Sequence, residues 1–179
     1  APGIDTAMAE RALAAAAACG LPPGALQLAF GQRQLAGQRD LLPALTLLHD
    51  GGVLLAVDDF GSAGPSLELL RTLPFESVRI GPAFVRAIGS AGGADMLAAL
   101  VHLARALGLR VLAQGVHTAD QLAVLASLGC DEYQGELYGK ALGPAAMLSL
   151  LGRAPTESEI CRNAAPTNLP TPKKRGQSR

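Results

Sequence analysis

Tryptophan is missing from this 179-residue chain, and four Phe with two Tyr are its whole aromatic complement. Its core must therefore be built from aliphatic and small side chains, a mix that suits helices packed closely on short strands. Cysteine is scarce as well. Cys19, Cys130 and Cys161 are odd in number, widely spaced and without the pairing of a zinc site, which argues against a disulfide scaffold. Buried thiols in a reducing cytoplasm are expected. No apolar run is long enough to span a bilayer, and the alanine-rich stretch 12–19 follows Asp5, Glu10 and Arg11, so no secretory signal is read there. A cytoplasmic protein with no transmembrane segment is expected.

Charge of one sign is also lacking overall, because 15 basic residues balance 15 acidic ones. The distribution is uneven. Up to Leu151 there are 9 Lys and Arg against 13 Asp and Glu, whereas from Gly152 onward there are 6 against 2. An acidic body argues against a nucleic-acid-binding face. The tail ending in Lys173, Lys174 and Arg175 could attract anions or a membrane surface, but its Pro, Thr and Asn content reads as a disordered terminus. The expected division is a domain over 1–151 and a basic tail over 152–179.

What the chain has is alanine, leucine and glycine arranged as strand-then-helix units. Residues 5–18 read as a leading helix stopped by Gly20 and Pro22-Pro23, and 25–30 as a strand. Residues 40–50 are apolar at helical spacing, and 53–57 form a continuous apolar run of the kind that is buried on both faces. Helices follow over 66–73, 96–107 (capped by Asp95) and 119–128 (capped by Thr118 and ended by Gly129). A last helix spans 144–151, with proline at its start. Between them, 77–80, 110–113 and 131–134 read as strands. This is the rhythm of a parallel α/β fold. A closed eight-stranded barrel needs about 250 residues, so these five or so units look like the later part of a TIM-like barrel. An opening without methionine fits a fragment. A doubly wound open sheet is the structural alternative.

Polar residues end the strands: Asp58 and Asp59 after 53–57, Arg79 within 77–80, Gln114 after 110–113 and Gln134 after 131–133. In a barrel, side chains at the carboxyl ends of strands converge on one site. Adjacent carboxylates after an apolar strand are costly to bury unless they bind metal or are paired. The bland alternative is that Asp58 caps the next helix while Asp59 forms a surface pair.

The segment LLAVDDFGSAG (54–64) closely resembles the DDFGTG strand and loop of the EAL-domain family, the cyclic-di-GMP phosphodiesterases. GLPPGALQLAF (20–30) resembles its GLPPxxLELEIT, and LRTLPFESVRIGPAFV (70–85) its LRxLPVDxLKIDxSFV. ALGLRVLAQGVHTADQLAVLASLGCDEYQGELYGKAL (106–142) resembles the stretch from ALGxxVxAEGVET to LGCDYxQGYLFGxPL. The resemblance implies a barrel and metal-assisted hydrolysis of one phosphodiester bond, with two Mg²⁺ or Mn²⁺ ions held by carboxylates and an asparagine.

Residue by residue, Asp58 and Asp59 match the metal-holding pair, and Gln134 the glutamine that orders water or ligand. Ala29 stands at the E-x-T glutamate, Gly31 at its threonine and Arg79 at the catalytic lysine. Gly81 stands at the following aspartate, Gln114 at the EGVE glutamate and His117 at its second glutamate. The E-A-L glutamate and the motif asparagine would lie before residue 1. In the loop that couples the family's site to dimerisation, Gly64-Pro65 replaces glycine-tyrosine and weakens the inference of a dimer.

The resemblance therefore implies a degenerate domain that binds cyclic-di-GMP or a protein partner without hydrolysis, through Arg79, Gln114, Gln134 and Asp59. A metal at Asp58 and Asp59 would be weak and not required. A residual phosphodiesterase and a regulatory remnant of a larger multidomain protein are the alternatives. His117 could add a metal ligand or simply face solvent. Tyr133 and Tyr138 could stack on a base or pack in the core. His49 and His102 read as surface or packing residues.

Overall fold

The computed structural model describes residues 3–36, 41–62 and 67–151. Helix α1 (Thr6–Ala18) starts where the Asp5 carboxylate accepts the Met8 N–H at 2.7 Å. Strand β1 (Gln27–Gly31) and the short α2 (Gln32–Ala36) follow, then α3 (Leu41–Asp50), β2 (Leu54–Asp58) and α4 (Leu67–Thr72). After β3 (Ser77–Ile80), the proline-started α5 (Pro82–Arg86) runs through a 3-10 turn (Ala87–Gly89) to α6 (Gly93–Ala106). The chain continues through β4 (Arg110–Gln114), α7 (Ala119–Leu128), β5 (Glu132–Gln134) and α8 (Pro144–Leu151).

The five strands are all parallel and lie side by side in chain order. A doubly wound sheet reverses its order at a switch point. No reversal occurs here, so the sheet is an arc of a TIM-like barrel, as expected. Register divides it into two faces. Leu55, Val57, Val78, Ile80, Val111 and Ala113 point one way and are 0% exposed beneath the helices. Burying each Leu, Val or Ile among them contributes about 1.5–3 kcal/mol, which makes this the dominant stabilising layer. The opposite face carries Gln27, Ala29, Ala56, Ser77, Arg79, Leu112, Gln114 and Gln134, and corresponds to the interior of a barrel.

Two carboxylates close the amino-terminal end of the sheet. The Leu55 N–H donates to Glu76 Oε2 at 2.6 Å, and the Val111 N–H donates to Asp131 Oδ2 at 2.8 Å. Each supplies the acceptor that the next strand, starting one residue later, cannot.

Several expectations are corrected. Strand β2 is buried on both faces at its centre, with Leu55 and Val57 on one and Ala56 on the other at 0% exposed, but Leu54 on the inner face is only half-buried. Helix α6 begins at Gly93, with Gly92 at φ 75° as its N-cap and Asp95 inside the first turn. Cys19 is exposed, because it is the C-cap of α1, whereas Cys130 is buried as expected. Cys161, the tail over 152–179 and the Gly64-Pro65 pair lie outside the described residues. Among the described residues no helix is long and apolar enough to cross a membrane.

Candidate functional site

Asp58 is the last residue of β2, on the inner face opposite Gly31 of β1. The pairing of Val57 with Val78 puts Asp58 beside Arg79, one step further along β3. The two do not join. Asp58 Oδ1 and Arg79 Nε are both buried without a hydrogen-bond partner among the described residues. Among the described residues Asp58 caps no helix, and α4 is described from Leu67 onward.

Asp59 leaves the strand in the left-handed region, at φ 52°, a conformation that aspartate tolerates better than most residues. Its carbonyl accepts the Ser62 N–H at 3.1 Å and the Ser62 hydroxyl at 2.8 Å, while the Phe60 N–H donates to the Arg79 carbonyl at 2.9 Å. This turn brings the Asp59 carboxylate over Gly81. A Cβ on Gly81 would lie 2.8 Å from Asp59 Oδ1, so the missing side chain is what makes room.

Gln114 and Gln134 end β4 and β5 in register, with Nε2 of Gln114 at 3.5 Å from Oε1 of Gln134, the outer limit of a hydrogen bond. Arg79 points toward β1, where its Nη2 donates to Gln27 Oε1 at 2.6 Å. Gln27 in turn donates to Ser77 Oγ at 3.1 Å. Gln27 was not singled out in the sequence. The two-residue period that puts it on the same face as Ala29 is the signal that could have found it.

The other candidates fall elsewhere. His117 is exposed and faces Glu136, at 3.9 Å, rather than Asp58. His49 and His102 are exposed on helices. Tyr133 packs with the core on the helical face, and its hydroxyl donates to the Cys130 carbonyl at 2.9 Å, so it does not reach the inner face. Tyr138 is 39% exposed. Cavities of about 300 and 280 Å³ open near Pro22 and Gly52 and near Arg105 and Asp131. Both lie at the amino-terminal end of the strands, away from these residues.

The fit to a divalent-cation pair can be tested on these atoms. Asp58 Oδ1 is an unclaimed hard oxygen, but Mg²⁺, Mn²⁺ and Ca²⁺ need several oxygen ligands at once. Among the described residues no three His, Cys, Asp or Glu side chains gather. Ala29 lies opposite Ala56 with nothing to offer, and Gln114 is uncharged. The residues described do not fit a two-cation centre.

Comparison with known proteins accounts for this layout. The cyclic di-GMP phosphodiesterase NbdA of Pseudomonas aeruginosa is 36% identical over 111 residues, covering 62% of this chain and 14% of that protein. The EAL domain of Mycobacterium smegmatis DcpA superposes with a TM-score of 0.74 at 34% identity, over 82% of this chain and 68% of that one. Klebsiella pneumoniae BlrP1, in complex with manganese and cyclic-di-GMP, superposes with a TM-score of 0.66 at 27% identity, over 73% of this chain and 34% of that one. The chain spans 14% to 24% of the length of the curated relatives it matches. The sequence pattern of the EAL domain matches residues 4–141. The parallel arc, the Asp58-Asp59 turn at its mouth and the match along most of the chain make this protein a member of the EAL domain family.

Proposed function

We propose that this chain is a cyclic-di-GMP-binding module that holds the nucleotide without hydrolysing it. The observation that carries the reading is the thinning of acidic ligands around Asp58. No carboxylate is offered by Ala29 on β1, Gln114 on β4 or Gly81 after β3. Each lost metal ligand lowers affinity and rate by orders of magnitude. Binding asks for less. Arg79 supplies a fixed positive charge for a phosphate. Gln114 and Gln134 supply amide donors and acceptors, and Asp59 supplies an acceptor for a donor on the guanine or ribose. Holding the nucleotide this way needs no cation.

Calorimetry with cyclic-di-GMP in the presence of EDTA is expected to give saturable heat at micromolar protein. Arg79→Ala is expected to weaken binding by about tenfold or more. Incubation with Mg²⁺ or Mn²⁺ is expected to yield no linear pGpG. Absence of heat would leave a protein partner as the occupant.

The buried, unpartnered Asp58 Oδ1 favours a second reading, a residual phosphodiesterase that retains one cation. Linear pGpG that appears with Mn²⁺ and vanishes in Asp58→Asn would establish that reading over the first.

A further inference from the structure

Strand β2 separates Gln27 on β1 from Ser77 and Arg79 on β3, yet Gln27 contacts both. Adjacent strands are about 4.8 Å apart, so the lateral span is about 9.6 Å, and register sets Gln27 two residues nearer the amino-terminal end of the sheet than Ser77 and four nearer than Arg79. The long Gln27 side chain must therefore cross a small residue of β2. That residue is Ala56, whose register partners are Ala29 on one side and Ser77 on the other. The orientation of the amide is dictated by chemistry. A guanidinium can only donate, so Gln27 must turn Oε1 to Arg79, at 2.6 Å, and Nε2 to Ser77 Oγ, at 3.1 Å. Ser77 is only 4% exposed, which makes it a fixed anchor rather than a passing contact.

Both ends of the amide are thus committed, and the tether ends on a charged donor, the stronger class of hydrogen bond. The tether is also neutral. A carboxylate at position 27 would hold Arg79 equally well but would cancel its charge. A glutamine orders the guanidinium and leaves its charge available to an anion.

We infer that Gln27 is a positioning residue, holding the Arg79 guanidinium fixed on the inner face, on the amino-terminal side of the strand mouths, with its charge open to a phosphate oxyanion. This rests on the binding reading above for its ligand, but not for the tether itself. The test therefore has two arms on the full chain. In the first, NMR follows rotation of the Arg79 guanidinium, its signal assigned with Arg79→Lys. Rotation is expected to be slow in the parent and in Gln27→Glu, and fast in Gln27→Ala. Unchanged rotation in Gln27→Ala overturns the inference.

In the second arm, calorimetry with cyclic-di-GMP is expected to show binding weakened by about tenfold in Gln27→Ala, through lost order. Gln27→Glu is expected to weaken it similarly, through lost charge, although its guanidinium stays ordered. Free rotation in Gln27→Ala with unaltered affinity would also overturn the inference. If the parent itself gives no heat, the binding reading falls, and the guanidinium measurement alone decides whether Gln27 holds Arg79. Should Gln27→Ala fail to fold, Ser77→Ala releases the other end of the amide and carries the same two measurements.

Discussion

At Cys130, burial and then the neighbouring Asp131 carboxylate push the thiol up from 9.0 to about 11, with Arg105 drawing it partly back. At Tyr133, burial first and then the thiol of Cys130, Tyr138 and Asp131 raise the phenol from 10.0 to about 12. Both groups are neutral when they stabilise the fold. Their raised values mean that this contribution is complete below the unfolded values and is lost as pH climbs through the folded ones. The melting temperature is therefore expected to hold level up to about pH 9 and to fall between about pH 9 and 11 as the unfolded thiol ionises first. Cys130→Ala is expected to move the onset toward pH 10, where tyrosine takes over. A melting temperature that is flat across that range in the parent would contradict this account. The contrast within the chain is chemical as well. Exposed Cys19 is expected to react with a maleimide at pH 7.5 in the native state, and Cys130 only after unfolding.

Among the elements, α7 has the most complete start. Thr118 Oγ1 accepts the Gln121 N–H at 3.2 Å, and Gln121 Oε1 accepts the N–H groups of Thr118 at 3.2 Å and His117 at 2.8 Å. Gln121 Nε2 also reaches the Val85 carbonyl at 3.4 Å, which links the cap to α5. Thr118→Ala is expected to cost about 1 kcal/mol in urea unfolding, with cyclic-di-GMP binding unaltered because the cap lies off the inner face. This cap was legible in the sequence, as were the Gly129 end of α7 and the proline start of α8, because each is set by residues a few positions apart. What was missed is of two kinds. The helices α2 and α5 have five residues each, too few for a helical period to emerge. The sequence points to Asp95 as the cap of α6, whereas the left-handed Gly92 performs that turn. The polar ends of the strands were readable because an apolar run that stops at Asp58 or Gln114 marks a strand mouth. Gln27 was not readable, because its partners are 50 and 52 residues away and its role exists only once β1, β2 and β3 are side by side.

At the scale of the molecule, the inner face is a composite to which every strand of the arc contributes, so its chemistry depends on which strands offer carboxylates. Among the described residues Asp58 ends β2 and Asp59 follows it, while the Glu136 carboxylate after β5 faces the exposed His117. Ala29 sits two residues beyond Gln27 on the same face of β1, and Gln114 closes β4. Restoring charge there, as Ala29→Glu with Gln114→Glu, would surround Asp58 Oδ1 with further oxygen donors. Titration with Mn²⁺, followed by calorimetry and by the loss of free-ion paramagnetic resonance, is expected to show at least about tenfold tighter binding in the double variant than in the parent. Gly81→Asp added to it is expected to tighten binding further, because the atom its Cβ would meet at 2.8 Å, Asp59 Oδ1, is the free end of a side chain and can turn aside. A parent chain that already binds two Mn²⁺ ions tightly, with the double variant no better, would mean that the ligand set of this face is not the one its strands display, and that the reading of a binding module without hydrolysis is wrong.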